Sequence, residues 1–463
     1  MLAMLNQQAR NPVVQLAQRT LSERAFSVSL KTLPVGQLVQ HASRTRLGDY
    51  QYASEFAFQL SHAQPVRVTE NRRFQGRPPY PLISANQSDN TNTTTTQVAI
   101  AASDQGLTAL VSHGKATGQP NVQPLSWRYG LTDYLAVEQW LTHSQPAVGA
   151  SQAFRSIDFS KLDLVTNSWT YLGVTGSGAT AQTVSGQGHL VTKSSPQDDV
   201  RMYLDEHFRP LNFTMAGTFE LNHVPLDLLP IATEPVFHSQ TYQISIDKPI
   251  DDHTNTSVLT LAVKGNTDLI KNWASASVSN GDWLIEGRRG PVRAAAPTAV
   301  ADYGREELSY PISHPTIKRL AAETGLKNLS HTTIAHELTA FVNEFIRYDH
   351  HSTMQSVLDV AVTRTGDCNE YAELFTTLAR ALGVPARTVI GLAYTDDPAP
   401  AFALHAWNEV LLSEQWHAFD PTWNETVVDA THIALPSDQG GLLIALTSLQ
   451  ELEFGLVAVQ HLL

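Results

Sequence analysis

The chain has 463 residues, 42% hydrophobic and 16% charged, enough for two or three domains each with its own core. Lys and Arg number 31 against 44 Asp and Glu, a formal net charge of −13 with no basic run to offset it, which excludes nucleic acid and an anionic membrane as main partners. A single cysteine excludes an intramolecular disulfide framework and any multi-cysteine metal site.

No apolar run reaches the roughly 18 residues that span a bilayer, so no membrane span is expected. The start, Met1 to Gln8, is too short in its apolar part for a signal peptide. The polar, lysine-poor surface composition tilts the expectation towards a periplasmic or extracellular protein over a cytoplasmic one.

In chain order, a short helical piece from Val13 to Leu21 comes first. Asp49 to Leu60 reads as a strand, with Tyr50, Tyr52, Phe56 and Phe58 on one face and Gln51 and Glu55 on the other. Arg77 to Pro81 reads as a turn or sheet edge, because proline cannot donate to a ladder. The low-complexity run Ser88 to Gln97 is expected at a loop tip or a polar strand edge. A helix is expected from Thr132 to Thr142, capped by Thr132. From Phe159 to Val263 period-2 alternation dominates, as in Phe213, Met215, Phe219 and Leu221, or Leu259, Leu261 and Val263. That pattern suits antiparallel sheets with one wet face. Residues 1–290 are therefore expected to be a β-rich antiparallel region, either one large curved sheet or two subdomains. Nothing in them carries a chemical constellation, so binding and scaffolding both stay open.

Gly290 to Val300 has linker composition, and the expected division is 1–290, a linker at 291–302, and a catalytic domain at 303–463. Ile334, Leu338, Phe341, Val342, Phe345 and Ile346 repeat at helical spacing. A second amphipathic helix carries Leu374, Phe375, Leu378 and Leu382 and stops at Gly383 and Pro385. Its N-cap is Asp367, so the lone Cys368 lies in its first turn, where unpaired N–H groups and the helix dipole favour a thiolate. Thr388–Tyr394, His405–Leu412 and Trp416–Phe419 follow as strands. This part is α+β, with helices packed on a small antiparallel sheet.

Cysteine catalysis needs a base for the thiol proton and a third group to orient the base. His405 opens one strand, and Asp420 ends the next after a turn at Ser413–Gln415, so a hairpin returns Asp420 beside His405. Trp407, Trp423 and Gln355 are weaker substrate-binding candidates, the indoles as cleft walls and Gln355 as a second oxyanion donor. His331, His336, His350 and His351 are read as surface or core histidines, and neither a metal nor a cofactor is expected.

Four motifs together carry a family resemblance: Thr365-Gly-Asp-Cys-Asn-Glu-Tyr-Ala372, Leu378-Ala-Arg-Ala-Leu-Gly-Val-Pro-Ala-Arg387, His405-Ala-Trp-Asn-Glu-Val410 and Trp416-His-Ala-Phe-Asp-Pro-Thr422. In this order they resemble the transglutaminase-like superfamily of papain-like folds, and Val428-Asp-Ala-Thr-His-Ile433 is similar to a segment of its bacterial members. The resemblance spans about residues 310–435. It implies a Cys-His-Asp triad with Cys368 as nucleophile, His405 as base and Asp420 as orienting acid. It further implies a cysteine-dependent amide hydrolase working through a thioester on a peptide or protein, peptidoglycan-derived peptides included. The alternatives are a protein-glutamine transglutaminase, a binding or scaffold protein with a relict triad, and an acyl-CoA-dependent acyltransferase, which lacks a phosphate-binding glycine loop.

Overall fold

The structure, a computed structural model, describes residues 11–30, 33–59, 66–90, 95–113, 121–175, 188–194, 199–215, 219–231, 233, 243–271, 273–296, 299–349, 355–436 and 449–462. The chain divides into two compact units, Met1–His238 and Ser239–Leu463.

The first unit opens with helix α1 (Pro12–Arg19), where Asn11 caps by accepting the Val13 N–H at 2.9 Å. Strands β1 (Glu23–Leu30), β2 (Leu33–Arg44), β3 (Tyr50–Phe58), β4 (Val66–Phe74), β5 (Leu82–Asn90), β6 (Thr95–Ser103), β7 (Gly106–His113) and β8 (Asn121–Leu125) follow as a meander. A second meander runs through β9 (Ser151–Asp158), β10 (Asp163–Thr175), β11 (Gly188–Ser194), β12 (Asp199–Leu204), β13 (Pro210–Met215) and β14 (Phe219–Val224). β14 pairs antiparallel with β1 and joins the two into one 14-stranded sheet among the described residues. The strands expected in residues 1–290 thus divide: β1 to β14 form this sheet, and those from Gln243 onward belong to another.

The alternation explains the pairing, since Phe26, Val28 and Leu30 of β1 are buried while Ser27 and Ser29 are half-buried. The expected helix at Thr132–Thr142 is broken into α2 (Leu131–Tyr134), α3 (Ala136–Gln139) and a π-turn at Trp140–Ser144. Its cap is Gly130, whose N–H donates to Asp133 Oδ2 at 3.0 Å, not Thr132. Leu135, Trp140 and Leu141 are buried as the spacing requires.

The second unit holds strands β15 (Gln243–Ile246), β16 (Thr256–Gly265), β17 (Ala276–Ser279), β18 (Asp282–Arg288) and β19 (Pro291–Ala294), then helices α4 (Ala299–Tyr303), α5 (Pro315–Glu323) and α6 (His331–Phe345). After the two-residue strand β20 (Arg347–Tyr348) come α7 (Val357–Thr363), β21 (Thr365–Gly366) and α8 (Cys368–Ala381). β22 (Ala386–Thr395), β23 (Ala401–Leu412), β24 (Gln415–Phe419), β25 (Ile433–Ala434) and β26 (Leu452–His461) complete it.

The sheet order is β17-β18-β16-β26-β15-β23-β22-β25, with β24 on β23 and β19 on β24. It is antiparallel except where β15 runs parallel to β26. The break thus falls at His238/Ser239, ahead of the expected 290, because β15 to β18 pair into the sheet that carries His405. Pro291–Ala294 is a paired strand, not a linker. One core packs α5 to α8 through Leu338, Val342, Leu374, Phe375 and Leu378 against Val410 and Phe419 of the sheet.

Candidate active site

The start of α8 is built by a reciprocal cap. Asp367 is extended (φ −99°, ψ −165°), and its Oδ1 accepts the Asn369 N–H at 2.8 Å. Glu370 Oε2 accepts the Asp367 N–H at 2.7 Å in return. Orphan first-turn donors are thereby satisfied without using the thiol. Gln355 braces the same turn: its N–H donates to Glu370 Oε1 at 3.0 Å, Nε2 donates to the Thr365 carbonyl at 3.0 Å, and Oε1 accepts the Thr363 hydroxyl at 2.9 Å. Gly366 is needed there, since a Cβ would overlap the Glu370 side chain. Cys368 is left at the first helical position, part-buried.

α8 lies on the sheet face of Asn408 and Val410, whereas alternation puts His405 on the other face with Trp407. Buried Asn408 fastens that packing, with Nδ2 donating to the Ala372 carbonyl and to Thr376 Oγ1, each at 2.8 Å. One edge of β23 is open close to His405. β15 pairs with β23 at Ala401–Ala403 and β24 pairs with it at Asn408–Leu412, so between them that edge of β23 has no partner strand among the described residues. In this stretch the Ala406 backbone, one residue from His405, acts on the Cys368 thiol in favour of its ionised form.

Ser413 and Glu414, both at positive φ (49° and 64°), make the two-residue turn that sets Asn408 opposite Phe419. That register brings Asp420 onto the His405 face. Asp420 Oδ2 lies 2.7 Å from His405 Nε2, and Oδ1 accepts the Thr422 N–H at 2.7 Å and the Trp423 N–H at 3.4 Å. With Nε2–H donating to Asp420, Nδ1 is the bare nitrogen left for the thiol. Trp423 stacks on the imidazole, centroids 4.2 Å apart and planes 10° from parallel.

The electrostatics alter one expectation. Burial pushes the Cys368 thiol up to about 12, with Asp367, Asp420 and Glu370 adding to the rise and the Ala406 backbone opposing it. The helix start alone therefore does not hold a resting thiolate, because three carboxylates surround it. Burial also works to raise Asp420, but hydrogen bonds from His405 and His432 outweigh it and keep the carboxyl well below the usual range.

Among the expected residues, His405 and Asp420 are in contact, and Cys368 starts the helix packed on the same strand. Trp423 is 45% exposed beside the imidazole, whereas Trp407 is buried and the Gln355 amide is engaged in the turn. His336 packs edge-on against Phe419, and His350 and His351 lie outside the described residues. Sequence reasoning passed over Asn408 and His432. The latter sits in the Val428–Ile433 segment, whose Asp429-Ala-Thr431 turn was the available signal: Asp429 Oδ1 accepts both the Thr431 N–H (2.7 Å) and hydroxyl (2.6 Å).

Two groups of metal-ligand type occur among the described residues, His405–Asp420–His432 and Glu425–Asp429–His432, each with donor atoms within 4.8 Å of one another. They share His432, whose Nε2 lies 3.4 Å from Asp420 Oδ2.

Helices leading to a cysteine, backed by a hairpin that delivers an imidazole and a carboxylate, define a papain-like α+β domain. Residues 318–421 match the Transglutaminase-like superfamily, and the chain carries a domain of that superfamily. Kyphoscoliosis peptidase of Mus musculus is 36% identical over 78 residues, 16% of this chain and 12% of that protein; the Homo sapiens protein is 36% identical over 76 residues, 15% and 12%. The chain thus matches about an eighth of the length of these curated relatives. Among solved structures, a candidate cysteine protease from Cytophaga hutchinsonii is 17% identical, covering 45% of this chain and 84% of that one with a TM-score of 0.27. A β-barrel-like protein of a domain of unknown function from Brucella abortus is 9% identical, covering 43% and 93% with a TM-score of 0.29. No helix among the described residues is long and apolar enough to cross a membrane.

Proposed function

We propose that the chain is a cysteine-dependent amide hydrolase acting on peptide or isopeptide bonds through a thioester, with Cys368, His405 and Asp420 as its triad. The observation that carries this reading is the 2.7 Å His405 Nε2–Asp420 Oδ2 contact, on a strand whose next residue, Ala406, acts through its backbone on the Cys368 thiol. His405 Nδ1 takes the thiol proton as the sulfur attacks the amide carbon, and Asp420 stabilises the imidazolium formed. The N–H of Cys368, at the first helical position, supplies one oxyanion donor. The imidazolium returns its proton to the departing amine, leaving an acyl-cysteine. Water, activated by the same imidazole, releases the acid and restores the thiol. Hydrolysis ranks above transfer to a second amine because the curated relatives are named as peptidases.

The test is turnover of a peptide panel that includes peptidoglycan-derived peptides, each with and without a labelled primary amine. Cys368→Ala lowers turnover about a thousandfold or more. Equal turnover in both chains overturns the cysteine mechanism. Cys368-dependent uptake of the amine in place of water replaces hydrolysis by transamidation.

A further inference from the structure

His432 precedes β25 and plays no part in the mechanism above. Its side chain is 1% exposed, with Nε2 3.4 Å from Asp420 Oδ2, the same oxygen that receives His405, and Nδ1 3.5 Å from Asp429 Oδ1. Aromatic neighbours fix the ring: Trp407 stands edge-on at 5.2 Å, Trp423 at 5.3 Å and the His405 ring at 5.8 Å. A buried imidazole with a carboxylate at each nitrogen keeps both protons.

Resting on the Cys368–His405–Asp420 reading, we propose that His432 is a positioning residue. It holds Asp420 Oδ2 at the same oxygen that His405 meets, and its positive charge offsets that carboxylate beside the sulfur that must ionise. The reasoning is one of charge balance. A buried Asp420 without that partner would oppose ionisation of the Cys368 thiol more strongly than it already does. A cation at the same carboxylate oxygen removes most of that opposition. The groups facing His432 are Asp420 from the end of β24, His405 from β23, Asp429 on its own segment, and Glu425 from the loop after β24. Arg289, just past β18, acts on Glu425. Burial works against the His432 cation, and Asp420 and Asp429 outweigh it, raising the imidazole to about 10.

Alkylation of Cys368 by iodoacetamide tests this without knowledge of the substrate, since the chain's one cysteine gives one adduct by intact mass. The rate is followed against pH in the full chain. His405→Ala slows alkylation by about tenfold or more near neutrality. In His432→Gln, which keeps a donor but loses the charge, the midpoint moves up by about one pH unit, and Asp429→Asn moves it the same way by less. A folded His432→Gln chain with the wild-type midpoint overturns the proposal, and so does a wild-type profile in Asp429→Asn should His432→Gln not fold. A wild-type profile that EDTA moves as far as His432→Gln does makes His432 the ligand of an ion instead, and also overturns it. Unchanged alkylation in His405→Ala is a separate outcome, which removes the triad reading itself.

Discussion

Asp420 is shared by two imidazoles, and that makes the pH dependence of stability legible at a single residue. His432 is raised in the folded chain from an ordinary value of 6.5 to about 10. A group raised on folding contributes stability that is fully present below its unfolded value and disappears as pH climbs through the folded one. The His432 contribution is therefore intact below pH 6.5 and gone above about 10. Asp420, depressed on folding, runs the other way: its contribution is present above the ordinary carboxylate value and lost in strong acid. Melting temperatures of wild type and His432→Gln, measured from pH 6 to about 10, converge as pH rises. A constant difference across that window removes the buried cation. None of this was legible in the sequence, where His432 is one of 18 histidines and its partners come from two separate turns. His405 and Asp420 were legible because strand alternation and a short turn fix where a hairpin's ends meet. The protonation of Cys368 was misjudged for a related reason: a helix start is local, whereas the burial and carboxylates that oppose it are tertiary.

At the scale of elements, the site depends on a strand residue with no side chain. Gly391 of β22 pairs with His405, and a Cβ there would overlap the Trp407 indole and the Ile433 carbonyl oxygen. Trp407 therefore crosses over β22 at that position and fills the space under the His405 and His432 rings. Gly391→Ala must displace an indole that is 2% exposed, at a cost of about 1–3 kcal/mol. It also slows Cys368 alkylation, because the imidazole loses its backing. Thermal unfolding together with the alkylation rate checks this, and wild-type values for both refute the packing argument. Helices α6 and α8 were legible from apolar spacing over three turns or more. The α2–α3 segment was misread because its apolar residues keep helical spacing while Gly130 and the π-turn change the path. Which face of β23 the cysteine helix covers was likewise hidden: alternation sorts side chains into two sets but does not say which set meets which neighbour. Asn408 decides it by binding the Ala372 carbonyl.

At the scale of the whole molecule, the composition change after Gly290 marks where helices begin, not where a folding unit begins. Residues 243–294 look like the β-rich region before them because strands of either sheet carry the same alternation, and no local signal tells which sheet a strand joins. The pairing does tell. β15 joins β23 at Gln243↔Ala403, Ile244↔Phe402 and Ser245↔Ala401, and joins β26 on its other side. β16 carries Leu259 and Leu261 into the core that holds Phe402 and Phe454. A chain begun at 303 would strip β23 of β15, leave β26 without either neighbour and open that core to water. A chain begun at Ser239 keeps every pairing of the second sheet. The prediction is that residues 239–463 fold cooperatively and alkylate at Cys368 at the wild-type rate. Residues 303–463 are expected to be insoluble or unfolded, since an exposed apolar edge strand invites association. Circular dichroism melts and intact-mass alkylation of the two truncations decide it, and a folded, reactive 303–463 chain would mean that the helices and β22 to β24 suffice to hold Cys368 and His405 together.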